Sequence, residues 1–173
     1  LWTRLPLRKG QHLRLGFARR GQRAYLAVAG GFCAEPVLGS VSVQLREGVG
    51  RALQVGDRLA CRSAHFSHRA SAPWPYLGHY SGTPLLRVIT GGDAAEFTED
   101  QLQRFFAQSW RLSPLSDRMG ARLLGEPLQP PARQWSLGVA RGAIQVPADG
   151  QPIILQADHQ TMGGYPLLGW LHP

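Results

Sequence analysis

The sequence predicts a mainly β fold with one short helix. Its 173 residues include 21 glycines and 13 prolines, and both residue types destabilise helix interiors. Apolar residues occur in short alternating or continuous runs that turn-forming residues interrupt, which is typical of strands joined by turns. Because 43% of the residues are hydrophobic and only 17% are charged, the chain can bury a core without disulfides.

The predicted strands follow one another along most of the chain. Residues 12–18 (HLRLGFA) alternate between apolar and polar side chains, and a turn at residues 19–22 connects them to the apolar run at residues 24–29. These two runs predict a β-hairpin. Shorter apolar runs predict five further strands, at residues 85–90, 121–124, 134–139, 143–146 and 152–157. Their close spacing favours a meander or a barrel.

One segment has the pattern of a helix. Residues 98–101 (TEDQ) have the form of a capping box, with acidic residues where the helix dipole favours them. Apolar side chains then recur at helical spacing, at Leu102, Phe105, Phe106 and Trp110. The sequence therefore predicts a helix at about residues 99–110, ending before Pro114. We interpret its aromatic stripe as core packing rather than as a ligand site.

Residues 63–84 divide the chain into two parts. They are rich in serine, proline and aromatic residues and have no sustained period, so we interpret them as a linker or long loop. They separate an amino-terminal β segment, residues 1–62, from a carboxy-terminal β segment, residues 85–173. The chain begins within a Leu/Arg alternation and stops just after an apolar run, so we expect both ends to be cut.

The net charge of +8 raises the question of a polyanionic partner. Only Lys9 is a lysine, and the arginines are scattered along the chain, with the densest group at Arg19, Arg20 and Arg23 in a predicted turn. This distribution argues against a nucleic-acid-binding face. No apolar stretch approaches the length of a membrane helix, so no membrane partner is expected.

The two cysteines, Cys33 and Cys61, form no C-x-x-C motif, and no apolar leader precedes them. This pattern favours reduced thiols and a cytoplasmic protein.

Two candidate sites have simpler structural explanations. His65, His68 and His79 could be read as zinc ligands, but prolines interrupt any helix there and no carboxylate or cysteine stands at ligand spacing. Residues 91–93 (GGD) follow a strand and could hold an anion on their amides. They lack the lysine of a phosphate-binding loop, so a plain turn is favoured.

Residues 116–120 (SDRMG) place a hydroxyl, a carboxylate and a guanidinium side by side. Neighbouring charges at a turn usually fix the loop, and that is the favoured interpretation. The alternative is that Arg118 orients a substrate, because its planar fork suits a carboxylate or a phosphate.

The segment at residues 142–166 (GAIQVPADGQPIILQADHQTMGGYP) carries the densest set of candidate residues. A turn at residues 147–150 joins two predicted strands, and four polar residues follow the second strand. If the backbone stays extended, Asp158 and Gln160 face one side while His159 and Thr161 face the other, which excludes a simple dyad of Asp158 with His159.

The pair Gly163 and Gly164 follows these polar residues. Glycine permits a positive φ and a close backbone approach, so the two amides could hold an oxyanion or a phosphate beside Asp158 and Tyr165. A strained structural turn is an equal alternative.

Several strings in the chain closely resemble the biotin-dependent carboxyltransferase family, also called allophanate hydrolase subunit 2, whose stand-alone bacterial members are the C subunits of 5-oxoprolinases. The most specific are SDRMG at residues 116–120 and the segment at residues 142–166. Others lie at residues 24–31, 37–40, 50–53, 56–59 and 86–88, so the resemblance covers nearly all of the chain.

The resemblance implies a cyclophilin-like β-barrel architecture in two related subdomains, with 85–173 as the second. It implies an enzyme component, active only in complex, that opens the lactam of 5-oxoproline to glutamate with ATP and Mg²⁺. Its implied partners are a homologous KipI-like B subunit, together with a LamB/YcsF-like A subunit. One alternative is carboxyl transfer from carboxybiotin to urea, as in urea amidolyases. Another is a non-catalytic regulator that antagonises a KipI-like kinase inhibitor.

Combining this resemblance with the residue patterns, we hypothesise three catalytic residues, Asp158, Gln160 and Arg118. Arg118 and the glycine amides would stabilise developing charge, while the carboxylate and amide side chains would orient the substrate. Seven further residues are candidates for substrate or nucleotide binding: Ser116, Asp117, Gln145, Thr161, Gly163, Gly164 and Tyr165. No metal ligand is predicted.

The chain departs from the family pattern at several positions. The family's TTVQDxGRxGYxxxGVPxxGAMD block is missing, as are its final strands, so residues 1–62 correspond to only part of the first subdomain. The family motif VLGSRST reads VLGSVSV at residues 37–43, which loses an arginine that could bind phosphate or carboxylate. The usual GP is Gly91-Gly92, and Leu167 stands where a basic residue is common.

Overall fold

The structure is a computed structural model that describes residues 2–18, 21, 23–64, 68–73 and 83–172. The chain forms two units, Leu1–Pro84 and Leu85–Pro173. That the two units are the two subdomains implied by the resemblance stays a prediction, as does the linker at residues 63–84, much of which lies outside the described residues.

The first unit contains little regular structure. Strand β1 (Thr3–Arg4) pairs with strand β2 (Ala70–Ser71) in an antiparallel ladder, and single bridges join Phe32 to Cys61, Val37 to Ser40 and Gln44 to Val49. A 3-10 turn spans Leu45–Glu47.

The predicted hairpin is wrong. In the described residues 12–18 and 24–29 neither run forms a strand, and the residues of its predicted turn lie largely outside the described residues. The apolar side chains of both runs, among them Leu15, Phe17 and Tyr25, are exposed. An alternating run forms a stable strand only when one of its faces is buried, and these side chains are not.

The second unit contains the sheet that positions the candidate site. In chain order its strands are β3 (Val88–Thr90), β4 (Arg111–Leu112), β5 (Gly120–Leu124), β6 (Leu137–Gly138), β7 (Ala143–Gln145), β8 (Ile153–Leu155), β9 (Met162–Gly163) and β10 (Leu167–Leu171). Among the described residues, six of them form one antiparallel sheet in the order β3-β10-β7-β8-β5-β4, and β6 pairs with β9. The predicted mainly β fold is confirmed, whereas closure into a cyclophilin-like barrel stays a prediction.

Helix α1 (Glu99–Ala107) confirms the predicted helix, although it ends earlier than expected. The Thr98 hydroxyl caps it by accepting a hydrogen bond from the Gln101 backbone N–H at 3.4 Å. At the other end, the Trp110 indole N–H donates to the Phe105 carbonyl at 2.9 Å, which satisfies one of the helix's last carbonyl groups. Trp110 therefore follows the helix and does not belong to it.

The predicted aromatic stripe is only partly buried. Phe105 belongs to the core, and Leu102 and Trp110 pack against that core. Phe106 is exposed, because it lies on the outer side of α1, so the core interpretation is wrong for this residue.

Different sets of residues pack on the two faces of the sheet. One face packs with Phe97, Phe105 and Leu128 in a cluster that includes Ile144, Val146, Ile154 and Leu168. Neighbouring residues of a strand point to opposite faces, so Ala143 and Gln145 face the other way, where Ala143 packs with Leu155 and Leu167. Gln145 is therefore a buried polar residue on the face opposite α1.

The strands of the second unit occur at the predicted positions, but several are shorter than predicted. The run at residues 121–124 coincides with β5 and the run at 143–146 with β7. Three runs are longer than the observed strands β3, β6 and β8, because only part of each run pairs in a ladder. Strand β8, for example, ends at Leu155 and a turn follows at residues 157–158.

Within the described residues, no helix is long and apolar enough to span a membrane.

Candidate functional site

The candidate site begins where β5 and β8 meet at one end of the sheet. Their ladder pairs Gly120 with Leu155, and two more backbone hydrogen bonds extend it beyond the strands. The Gln156 N–H donates to the Met119 carbonyl at 2.8 Å, and the Asp158 N–H donates to the Arg118 carbonyl at 2.9 Å. The extended ladder thus brings two predicted catalytic residues together, although 40 positions separate them in the chain.

Arg118 and Asp158 form a two-point ion pair. The Arg118 Nε lies 2.7 Å from the Asp158 Oδ2, and its Nη2 donates to Oδ1 at 3.1 Å. The Asp158 side chain is 17% exposed and the Arg118 side chain is 55% exposed. The carboxylate therefore fixes the plane of a guanidinium that stays accessible to an anionic oxygen from solution.

Ser116 and Asp117 hold the turn that carries Arg118. The Asp117 Oδ1 accepts hydrogen bonds from the backbone N–H groups of Met119 and Gly120, at 2.9 and 3.0 Å. The Ser116 hydroxyl oxygen accepts the Arg122 N–H at 3.0 Å. These bonds support the loop-fixing interpretation of the SDRMG motif. A role for Ser116 or Asp117 in substrate or nucleotide binding stays a prediction.

Gln145 is hydrogen-bonded to two of the other predicted residues. Its side chain is 1% exposed, and its Oε1 accepts a hydrogen bond from the Gln160 Nε2 at 3.1 Å. Its Nε2 in turn donates to the Tyr165 carbonyl at 3.4 Å. A buried amide is costly unless both of its ends are hydrogen-bonded, and here both are. Gln145 therefore fixes Gln160 and the backbone at Tyr165 relative to the sheet.

Gly163 is required by the closeness of Gln145. A Cβ atom at position 163 would lie 2.2 Å from the Gln145 Nε2. The close neighbour of Gly163 is thus a buried amide side chain, and close approach of a ligand to this backbone stays a prediction. At Gly164 a Cβ would meet only the Ser136 Oγ, at an ordinary 3.4 Å.

The glycine pair forms no left-handed bend, although glycine permits a positive φ. Neither Gly163 nor Gly164 has a positive φ. Gly163 belongs to β9 and pairs with Leu137, and a strand ladder needs extended backbone. An oxyanion hole from the amides of Gly163 and Gly164 therefore stays a prediction, without support from a left-handed bend.

The predicted alternation of residues 158–161 rests on an extended backbone, which the turn at residues 157–158 replaces. Asp158 and Gln160 nevertheless both reach predicted site residues, because Asp158 bonds to Arg118, just before β5, and Gln160 bonds to Gln145 in β7. The His159 Nδ1 lies 2.6 Å from the Gln160 carbonyl oxygen. The Thr161 side chain is exposed, and its backbone carbonyl accepts the Val139 N–H at 3.0 Å. Thr161 as a binding residue stays a prediction.

The sequence did not reveal a partly buried ion pair between Asp93 and Arg133. Their side chains are 15% and 7% exposed, and the Arg133 Nη1 contacts the Asp93 Oδ2. The turn interpretation of the GGD motif is supported, because the Asp93 N–H donates to the Leu167 carbonyl at 2.7 Å and so serves the fold. No local pattern could have paired these two residues, since 40 positions separate them.

Other candidate groups do not add to the site. His65 and His79 lie outside the described residues, while the His68 backbone carbonyl accepts a hydrogen bond from the Arg4 Nε at 3.1 Å. Over the described ranges, no three His, Cys, Asp or Glu side chains are grouped so that they could hold a metal ion. A shallow hollow beside α1 is lined by Glu99, Leu102, Gln103, Phe106 and Ala107, and none of these is a predicted site residue.

Comparison with known proteins places these residues in a family. The family model for the carboxyltransferase domain, subdomain A and B, matches residues 1–173. The chain belongs to this carboxyltransferase domain family. The resemblance stated from the sequence is therefore confirmed.

Individual relatives of this carboxyltransferase domain include proteins of two kinds. The chain is 40% identical to the C subunit of the Escherichia coli 5-oxoprolinase, over 96% of this chain and 55% of the relative. It is 27% identical to urea amidolyase of Saccharomyces cerevisiae, over 93% of this chain and 10% of the relative. It thus spans about half of the bacterial relative and a tenth of the yeast one.

The fold agrees with a solved structure of the second kind of relative. The crystal structure of urea amidolyase from Kluyveromyces lactis superimposes with a TM-score of 0.65, covering 84% of this chain and 10% of that chain. At 24% sequence identity this likeness shows a shared fold.

Proposed function

We propose that this carboxyltransferase domain is part of the C subunit of an ATP-dependent 5-oxoprolinase. The reaction would convert 5-oxo-L-proline, ATP and water into L-glutamate, ADP and phosphate. The observation that carries the proposal is the 40% identity to the C subunit of a 5-oxoprolinase over 96% of this chain. The proposed partners are a homologous KipI-like B subunit, together with a LamB/YcsF-like A subunit, in a cytoplasmic complex that alone is active.

The chemistry explains why ATP is needed. A lactam amide resists attack by water because its nitrogen is a poor leaving group. Phosphorylation of the amide oxygen makes the ring carbon a better electrophile. One water can then add to that carbon, and the ring C–N bond breaks with protonation of the nitrogen, which leaves a carboxyl phosphate. A second water cleaves this carboxyl phosphate into glutamate and phosphate. The protein has to hold anionic oxygens during these steps.

Arg118 is the residue best placed to hold an anionic oxygen. Asp158 grips its guanidinium at two atoms, so the orientation of the group is set before a substrate arrives. More than half of the Arg118 side chain is exposed and can meet a substrate carboxylate or a phosphoryl oxygen. Asp158 would thus orient the arginine and Arg118 would stabilise the developing charge.

Gln160 would supply a second fixed polar group. Its side-chain amide donates to buried Gln145, which limits its motion, and Gln145 also holds the backbone at Tyr165. The half-exposed Tyr165 ring would border the bound substrate, and Gly164 would let the substrate approach the backbone closely, because the space at Gly163 is taken by Gln145. Preorganised dipoles of this kind stabilise a transition state without reorganising during the reaction.

The residues of the candidate site fit the phosphate of the nucleotide but offer no set of ligands for its metal ion. The guanidinium of Arg118 matches a phosphate oxygen, whereas the described residues offer no grouped carboxylates and histidines for an ion. Mg²⁺ would enter with ATP and neutralise phosphate charge. The chain's own task would be to orient the phosphate through Arg118 and Asp158.

A second candidate is carboxyl transfer to urea. It is favoured by the 27% identity to a urea amidolyase over 93% of this chain. It would require biotin on a carrier protein, with Arg118 facing a carboxylate in place of a phosphate. A third candidate, a regulator that antagonises a KipI-like kinase inhibitor, would bind the homologue of the B subunit without catalysis.

The test is ATP hydrolysis by the complete gene product mixed with its A and B partner subunits. We expect ADP release that depends on 5-oxoproline, because that lactam is the group to be activated, and no stimulation by urea. Stimulation by urea in the presence of a biotin carrier would favour carboxyl transfer. Tight binding of the B subunit with no turnover would contradict the enzyme proposal and favour the regulator.

A further inference from the structure

The partly buried ion pair of Asp93 and Arg133 has no part in the chemistry proposed above. Their side chains are 15% and 7% exposed, so both charges are largely removed from water. Charges buried to this degree are costly unless they are paired and hydrogen-bonded. The bonds around this pair show which backbone segments it connects.

Asp93 holds the beginning of strand β10. Its backbone N–H donates to the Leu167 carbonyl at 2.7 Å, and its Oδ2 accepts the Leu167 N–H, also at 2.7 Å. The pairing of β10 with β7 is irregular between Leu167 and Gly169, so the side chain of Asp93 supplies an acceptor at this point of the ladder. Leu167 lies only two residues after Tyr165.

Arg133 holds the approach to strand β6. Its Nε donates to the Trp135 carbonyl at 2.9 Å while its Nη1 contacts the Asp93 carboxylate. Trp135 precedes β6 by two residues, and β6 pairs with β9 through Leu137 and Gly163. The same carboxylate oxygen thus contacts both Arg133 and Leu167.

These contacts bracket the segment at residues 162–167. Its first residues pair with β6, which Arg133 steadies, and its last residue is bonded to Asp93 on both its N–H and its carbonyl. Between the two ends lies the Tyr165 carbonyl that accepts the Gln145 amide. A change in the ion pair would therefore reach the candidate site through backbone and not through contact with substrate.

We propose that Asp93 and Arg133 are positioning residues that fix the segment at residues 162–167 beside Gln145. The part of the inference that concerns turnover rests on the proposed 5-oxoprolinase function, whereas the part that concerns backbone order does not. The two parts are measured separately.

The first measurement is amide hydrogen exchange, by mass spectrometry, on the complete gene product. Asp93→Asn keeps an acceptor for Leu167 but removes the charge, and Arg133→Lys keeps the charge but loses the Nε donor to Trp135. In each variant we expect residues 162–167 to exchange about 10-fold faster than in the wild type, because local opening becomes easier. Residues 99–107 of α1 should keep their wild-type rates, which shows that the variant is folded.

The matched control is Glu126→Gln, which breaks the exposed ion pair between Arg104 and Glu126. The hydrogen bonds of Glu126 that the structure gives go to Arg104 and Gln108, not to β6 or β10. It should leave exchange at residues 162–167 unchanged. Equal exchange at these residues in wild type, Asp93→Asn and Arg133→Lys would overturn the proposal, whatever the activity.

The second measurement is 5-oxoproline-dependent ATP turnover in the complex with the A and B subunits. We expect kcat to fall about 10-fold or more in Asp93→Asn, because misplacement of a supporting segment is costly, while the affinity for the B subunit stays unchanged. Faster exchange with unchanged kcat in an active complex would overturn the positioning role. If the wild-type complex lacks this turnover, the proposed function fails and the exchange rates alone decide on the positioning residues.

Discussion

At the scale of single residues, Gln145 shows how the candidate site is built into the sheet. It occupies a strand position among apolar neighbours, where an unbonded amide would destabilise the fold. Bonds to Gln160 and to the Tyr165 carbonyl satisfy it. The same closeness leaves no room for a Cβ at Gly163. The buried amide of Gln145, its bond to Gln160 and the glycine at position 163 thus belong to one packing arrangement.

Asp57, in the first unit, allows a prediction about pH. Arg51 donates to its carboxylate through Nη1 at 2.7 Å and Nη2 at 2.9 Å, and the Gln54 backbone N–H donates at 2.8 Å. The hydrogen bond from Arg51, followed by the bond from Gln54, lowers the pKa of Asp57 from 3.8 to about 2. The lowered pKa means that these bonds stabilise the folded turn above about pH 4, and that this contribution is lost as the pH falls through 2.

NMR titration of the Asp57 side-chain carboxyl carbon checks this directly. We expect a midpoint near 2 in the wild type and a rise toward the ordinary Asp value of 3.8 in Arg51→Met. Arg58→Met, which removes a neighbouring arginine outside these bonds, serves as the control. A wild-type midpoint at the ordinary value would contradict the prediction.

At the scale of elements, the sequence predicts the helix and the strands whose signals lie in neighbouring residues of the chain. The capping box and the apolar spacing predict α1, and apolar runs predict β5 and β7, because these signals depend on neighbours in the chain. The predicted hairpin of the first unit fails because its apolar faces find nothing to pack against. Alternation shows that a run can form a strand but does not provide the partner.

The candidate site was predictable only in part for the same reason. The sequence predicts four site residues separately, and the structure brings them into two bonded pairs, Arg118 with Asp158 and Gln145 with Gln160. Which of them bond to one another follows from the register of β5, β7 and β8, which no single segment contains. The pair Asp93 and Arg133 joins two irregular segments and left no periodic signal.

The close packing of β3 against β10 gives a prediction about stability. A Cβ at Gly169 would lie 2.2 Å from the Ile89 carbonyl oxygen, a backbone atom that cannot rotate away. We expect Gly169→Ala to lower the free energy of unfolding by about 1–3 kcal/mol, the usual cost of overpacking. Gly138→Ala is the matched control. Gly138 lies in another strand of the same unit, and a Cβ there meets nothing within 4 Å.

Chemical denaturation of the two variants compares them with the wild type. The midpoint should fall for Gly169→Ala and stay close to the wild-type value for Gly138→Ala. Equal midpoints for Gly169→Ala and wild type would show that β10 moves away from β3 without cost, which would contradict the described ladder.

At the scale of the whole molecule, the candidate site lies entirely within Leu85–Pro173. The ion pair of Arg118 and Asp158 and the amide pair of Gln145 and Gln160 both belong to this unit. The chain spans 55% of its Escherichia coli relative. The proposed substrate recognition and partner binding are therefore to be measured on the complete gene product with its proposed partners.

The most direct test of the account is coupled ATP turnover by Asp158→Asn in the complex of the complete gene product with the A and B subunits. The substitution keeps the size of the side chain but removes the charge that orients Arg118, so we expect 5-oxoproline-dependent turnover to fall by about 100-fold or more. Asp100→Asn, an exposed carboxylate of α1 outside the site, should keep wild-type turnover. Wild-type turnover in Asp158→Asn would contradict the assignment of this site.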